Sequence, residues 1–221
     1  MNQTAAANTR EMARQYIHDG LLFFSGEEMQ RFSIAICRRL AAGRPAAMAA
    51  LGEDLGLAPA RVEALLQGYP ASGMDIDADG AVIACGGLSL AETAHIFEID
   101  GRMLHTWCVL DALFLPEIIG KPAILRTRCA GSGDRIEVHL APDRIISHSP
   151  NGVVMSIVGP DRQACRDNLR GAFCQHVLLF RDAPAFHDWA RDRDDVAMVS
   201  LQEAHEIGVE RNASRYPDIR F

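Results

Sequence analysis

The hydrophobic pattern changes near residue 88, and this change bounds the fold more tightly than any other feature of the 221-residue chain. Before it, apolar residues recur mostly at helical spacing; after it, short alternating or continuous apolar runs take over. Strands and helices mixed without regular strand-helix-strand alternation predict an α+β fold. The length suits one large domain or two small ones closely joined. The expected division is an N-terminal helical, winged-helix-like domain over 1–87 and a catalytic α+β domain over 88–221.

In the N-terminal part, EEMQRFSIAICRRLAA (27–42) places Met29, Phe32, Ile36, Cys37 and Leu40 on one helical face, with Ser25 and Glu28 spaced as a capping box. PAAMAALGEDLG (45–56) and ARVEALLQGY (60–69) follow, with Pro59 suited to a first helical turn, so the pair has helix-turn-helix spacing. GMDIDADGAVIACGG (73–87) alternates around Asp79-Gly80 and predicts a two-stranded wing. A nucleic-acid reader must neutralise phosphates. Residues 27–87 instead carry Arg31, Arg38, Arg39, Arg44 and Arg61 against Glu27, Glu28, Glu53, Asp54, Glu63, Asp75, Asp77 and Asp79. A structural role is expected for the unit, with no nucleic-acid partner.

Beyond residue 88, HIFEID and RML predict a hairpin around Asp100-Gly101, and TWCVLDALFLPEIIG (106–120) a short apolar helix that stops near Pro116. PAILRTRC and DRIEVHL read as strands flanking the Gly131 to Gly133 turn, and VVMSIV, HVLLFRD and VAMVSL as further strands. PAFHDWARDRD and QEAHEIGVERN read as helices, and no internal repeat is present.

A formal charge of −7 disfavours anionic polymers and anionic membranes, leaving a small neutral or cationic ligand. The polar N-terminus lacks an apolar targeting core, and the longest apolar run is short and broken by Asp111, Pro116 and Glu117. A cytoplasmic protein without membrane association is expected. Its cysteines, Cys37, Cys85, Cys108, Cys129, Cys165 and Cys174, then stay reduced, and none forms a CxxC pair.

Chemistry concentrates in HTWCVLD (105–111). With Thr106 as cap, Cys108 falls in a first helical turn, where the macrodipole favours thiolate, and Asp111 shares its face. Val109, Leu110, Ala112, Leu113 and Phe114 surround that carboxyl with apolar groups, so burial should raise its pKa. Cys108 alone reads equally as a small buried hydrophobe. A lone carboxylate on an apolar face needs a reason, and a soft-metal ligand beside a proton carrier supplies one.

IFEID (96–100), WCVLD (107–111), LPEIIG (115–120), RCAGSG (128–133) and FCQHVLLF (173–180), with DWA and VSLQEA later, stand in the order in which their counterparts occur in the organomercurial, or alkylmercury, lyases. The chain resembles that family from about residue 25 to 212. The resemblance implies cleavage of a carbon–mercury bond to hydrocarbon and Hg(II), with Cys108, Cys174 and Asp111 as catalytic residues and as ligands of the Hg(II) product. It implies no bound cofactor, a need for external thiols, an organomercurial substrate, and a mercuric reductase as acceptor of the ion. Cys129 matches a cysteine regarded as structural in the family, while Cys37, Cys85 and Cys165 match no catalytic position. Cys165, among Arg162, Gln163, Arg166 and Asp167, is expected at the surface. Trp107 and Phe173 read as core aromatics that also wall the alkyl group, and His176 as a structural histidine opening a buried strand. His105 and Gln175 depart from the residues associated with those positions. Two alternatives use the same thiols: a soft-metal-responsive winged-helix regulator and an Hg(II) carrier that breaks no bond.

Overall fold

The computed structural model describes residues 26–159 and 161–221, together with residues 7–8, 10–11 and 13–14. Among the described residues, helices α1 (Glu27–Ala41), α2 (Met48–Leu55) and α3 (Pro59–Gly68) precede strands β1 (Met74–Ile76) and β2 (Val82–Cys85). Pro59 opens α3, where its missing N–H costs nothing. The β1–β2 turn is closed by the Asp77 carboxylate, which accepts the backbone N–H groups of Asp79 and Ala81 at 3.0 and 2.9 Å. The α1 cap differs from expectation: Gly26 occupies the N-cap with no side-chain cap, and Ser25 lies outside the described residues.

The chain continues through β3 (Leu88–Ser89), β4 (His95–Ile99), β5 (Arg102–Thr106), α4 (Val109–Ile119), β6 (Ala123–Arg128), β7 (Arg135–Ala141) and β8 (Arg144–Ser149). Then come β9 (Val154–Val158), α5 (Arg162–Ala172), β10 (Leu179–Phe180), α6 (Ala183–Trp189), β11 (Val196–Ser200) and α7 (Leu201–Arg215). The mixed α+β expectation stands. One antiparallel sheet runs β1-β2-β3-β5-β4-β6-β7-β8, and a second runs β10-β9-β11. Residues on both sides of position 87 thus share the larger sheet, through Cys85↔Leu88 and Leu88↔Thr106 pairing. The β4–β5 hairpin turns on Asp100 and Gly101, both with positive φ (50° and 73°), as a tight two-residue turn requires.

Helix α4 organises the core. Of its residues only Glu117 is not buried, and it packs against β3, β5, β6 and β7 with α1 and α7 covering it. A helix apolar on every side has no stable place at a surface. It does not stop at Pro116. Proline removes only its own backbone donor, and with neighbours on all sides the helix runs on to Gly120, which ends it at φ 75°. Strand β8 and helix α5 lie outside the expected elements: β8 is largely exposed, and among the described side chains of α5 the buried ones are Cys165 and Leu169, set among polar residues. The expected HVLLFRD strand shortens to β10, because Cys174–His176 form a single 3-10 turn ahead of it. No described helix is long and apolar enough to cross a membrane.

Candidate active site

Cys108 is the N-cap residue of α4, one position before the first turn in which it was expected. Its extended backbone (φ −145°, ψ 173°) turns the strand exit of β5 into the helix. A reciprocal capping box follows. The Asp111 backbone N–H is directed at the Cys108 sulfur, and Asp111 Oδ2 accepts the Cys108 backbone N–H at 2.9 Å. The cap therefore fixes thiol and carboxyl side by side.

Cys174 reaches the same place from the 3-10 turn between α5 and β10. Ligand atoms of Cys108, Asp111 and Cys174 all lie within 4.8 Å of one another. The three are 1%, 9% and 4% exposed, so the cluster is almost dry. The structure thus brings all three expected residues together.

Burial pushes the Asp111 pKa up to about 6, against the opposing effects of the Cys108 thiol and the charges of Arg211 and Arg215. Such a carboxyl exchanges protons close to neutrality. Cys108 departs from the expected thiolate: burial first, then contact with Cys174 and the charge of Asp111, push its thiol well above the ordinary value. One backbone donor at the helix end does not offset those three effects. The unliganded site therefore holds Cys108 protonated.

Four neighbours were not foreseen. Gly87 has φ +102°, and a Cβ there would lie 2.3 Å from Asp111 Cγ, so the carboxyl packs against bare backbone. The guanidinium of Arg211 stands 3.6 Å from the centre of the Phe114 ring, and Arg215 lies one turn further along α7. Arg170 of α5 stacks 4.7 Å above the Trp107 ring and pairs with Asp75 of β1. The paired glycines 86 and 87 were a readable signal of close backbone approach; Arg211 and Arg215, far off in sequence, gave none.

Trp107 and Phe173 are buried beside their cysteines, as expected of core aromatics. His176 is held by Gln175 (Nε2 to Nε2, 3.1 Å) and ends the 3-10 turn instead of opening a strand. His105 Nδ1 accepts the Thr93 backbone N–H at 3.2 Å. Cys129 is buried at the end of β6, and its sulfur accepts backbone N–H groups of Ser132 (3.4 Å) and Arg181 (3.3 Å), tying the Gly131–Gly133 turn to the chain after β10. Burial raises that thiol, but these bonds and the Ser132 hydroxyl outweigh it and bring it below the ordinary value. Cys165 is fully buried on the inner face of α5, not exposed: Gln163, Arg166 and Asp167 are exposed while it points in.

Comparison with known proteins agrees with this geometry. A sequence profile described as "MerB: Alkylmercury lyase" matches residues 88–211. An alkylmercury lyase of Pseudomonas putida is 36% identical over 182 residues, covering 82% of this chain and 83% of the relative. One from Staphylococcus epidermidis is 33% identical, covering 78% and 77%. Among solved structures, "Crystal structure of the mercury-bound form of MerB2" superposes with a TM-score of 0.70 at 20% identity, covering 94% of this chain and 98% of the other, a likeness of fold. The chain belongs to the alkylmercury lyase family.

Proposed function

We propose that the protein cleaves the carbon–mercury bond of organomercurials by protonolysis, with Cys108, Cys174 and Asp111 as its catalytic residues. The observation that carries this reading is the meeting of two thiols and one near-neutral carboxyl within 4.8 Å in a nearly dry cluster. Mercury is soft and prefers sulfur, while the departing carbon needs a proton donor at hand.

The substrate enters as R–Hg–SR′. Cys108 displaces R′S from mercury, and the Cys108 proton leaves with R′SH. The second thiol, Cys174, then bonds mercury as its proton passes to the Asp111 carboxylate. Two sulfur donors raise electron density at carbon, and Asp111 delivers the proton to it. The carbon–mercury bond breaks, R–H departs, and Hg(II) remains between the two sulfurs with Asp111 again ionised. External thiols then displace the ion and reprotonate the cysteines. These three side chains and an external thiol supply every group the steps require, so no resident cofactor is invoked. A flavin-dependent mercuric reductase is the proposed acceptor of Hg(II), in a reducing, cytoplasmic setting.

The N-terminal unit is proposed to be winged-helix-like in shape and structural in role, with the division near residue 87. Helices α1–α3 followed by the β1–β2 hairpin support the shape, and the packing of α1 against α4 supports the role. On α3, Arg61 is already paired with Glu28, leaving little positive charge for phosphates. The regulator reading is disfavoured for that reason. The test is release of hydrocarbon from an organomercurial in excess thiol. Cys108→Ser or Cys174→Ser should abolish it, and full turnover by either variant would refute the mechanism.

A further inference from the structure

A second pair of thiols lies behind the first. Cys37 of α1 and the β2 residue Cys85 are 1% and 0% exposed. Cys37 Sγ lies 3.9 Å from the Cys85 carbonyl oxygen, and the two thiols are close enough to perturb each other's ionisation. Cys85 Sγ is 3.0 Å from the Tyr69 hydroxyl, which also accepts from Arg215 Nη2 at 3.2 Å. Ser33 Oγ completes the cluster, 3.3 Å from the Tyr69 hydroxyl and 3.1 Å from that of Tyr216.

The segment Cys85-Gly86-Gly87 separates this cluster from the catalytic one. A Cβ on Gly86 would face Tyr69 and Cys37, at 3.9 Å from the hydroxyl and 4.0 Å from the sulfur; one on Gly87 would collide with Asp111. Adjacent glycines thus face the two dithiols from opposite sides of one strand of backbone. The neighbouring Cys85 first, then burial, pushes the Cys37 thiol up, and burial also raises Cys85. For Cys85, contacts with Cys37 and Tyr69 and the charge of Arg215 outweigh burial and bring it below the ordinary value, while Cys37 stays well above.

We infer that Cys37 and Cys85, with Tyr69 and Arg215, form a second dithiol site that holds Hg(II) beside the catalytic centre. The lyase reading supplies only the identity of the soft cation. In the exchange, Hg(SR)₂ meets the Cys37 and Cys85 thiols. Two mercury–sulfur bonds to the protein form, two to the small thiol break, and the two cysteine protons leave with the departing groups as two RSH. No redox change occurs. Among the described residues no carboxylate joins these two sulfurs in a ligand cluster that could donate a proton to carbon, so the pair suits retention of the ion and not bond cleavage.

The test loads folded protein with Hg(II) presented as its complex with a small monothiol, followed by gel filtration, metal counting and X-ray absorption at the mercury edge. Wild type should retain two ions per chain, and the Cys108→Ser/Cys174→Ser variant one, with two sulfur ligands. Adding Cys37→Ser should remove it. Absence of an ion in the double variant, or retention unaffected by Cys37→Ser, overturns the site. Tyr69→Phe keeps the ring and the packing, so it covers the case in which Cys37→Ser fails to fold. In the double-variant background it should weaken Hg(II) retention about threefold or more, through loss of one hydrogen bond at the sulfur, and unchanged affinity overturns the inference. Loading bypasses turnover. Protein that binds two ions but releases no hydrocarbon would refute the lyase mechanism and leave this site intact; active protein holding a single ion would do the reverse.

Discussion

The two dithiols use the same two side chains in different company, and the company decides the chemistry. Cys108 and Cys174 stand beside a carboxyl that can gain and lose a proton near neutrality, whereas Cys37 and Cys85 stand beside a guanidinium that stays charged. A movable proton permits cleavage. A fixed positive charge favours thiolate and hence metal retention. The first pair is assembled from a helix cap and a 3-10 turn flanked by α5, and the second from α1 and β2 within the core. On the proposed mechanism, cleavage needs both sulfur to hold the metal and an acid placed to finish the reaction, whereas retention needs the sulfur alone.

Asp111→Asn should break this contrast most sharply, by making the catalytic pair resemble the second one. Turnover is expected to fall by about 10²–10⁴-fold, the usual contribution of a positioned proton donor, while Hg(II) still loads onto Cys108 and Cys174. Retained turnover would remove Asp111 from the mechanism; turnover lost together with metal loading would assign it to structure. The same residue links stability to pH. Its pKa is raised in the folded protein from 3.8 to about 6, so the folded state binds more protons than the unfolded state between those values. Folding stability should therefore fall as pH rises from about 4 to about 6, by roughly 3 kcal/mol at most. Denaturant titrations of wild type against Asp111→Asn should show this component only in wild type.

Much of this site was legible because its chemistry is local. Cys108 and Asp111 lie three residues apart at the start of an apolar run, so the local geometry of a helix start juxtaposes them and burial raises the carboxyl. Cys174 is 66 positions further on, and only the order of the family's motifs joined it to them. Local reasoning failed where tertiary contacts overruled it. Pro116 did not stop α4, because the helix is enclosed on all sides. The helix end did not make Cys108 a thiolate, because desolvation and Asp111 outweigh the dipole. Cys165 was misplaced because polar neighbours say nothing about the one face of a helix that turns inward. Arg211 and Arg215 come from an element far away in sequence, so no spacing rule reaches them, and the paired glycines signalled a close backbone approach without identifying Asp111 as the group that makes it.

The glycine partition offers a paired test. Gly87→Ala combines positive φ with a clash at 2.3 Å against Asp111, and Gly86→Ala combines positive φ with ordinary contacts at 3.9 and 4.0 Å. Each should cost about 1–3 kcal/mol in backbone strain. Only Gly87→Ala should also displace the carboxyl and lower turnover, by about tenfold or more for a misplaced catalytic group. Equal turnover in the two variants would mean that Gly87 does not position Asp111.

The smallest effect should come from Arg170→Ala, and it separates the two dithiols by their walls. Arg170 is about half exposed, pairs with a partly exposed Asp75, and stacks on Trp107 next to Cys108. Exposed ion pairs and cation–π contacts are each worth up to about 1 kcal/mol, so the shift in the urea midpoint should be slight. Its consequence should be local. Removing a tie between α5, β1 and Trp107 lowers the cost of opening beside Cys108 and Cys174, while nothing changes around Cys37 and Cys85. Alkylation of folded protein by iodoacetamide, mapped by mass spectrometry, should accelerate a few-fold at the first pair, as about 1 kcal/mol allows, and stay unchanged at the second. Equal acceleration at both would mean that the two dithiols open as a single unit, and the distinction between a reacting pair walled by α5 and a holding pair enclosed by α1 and β2 would fail.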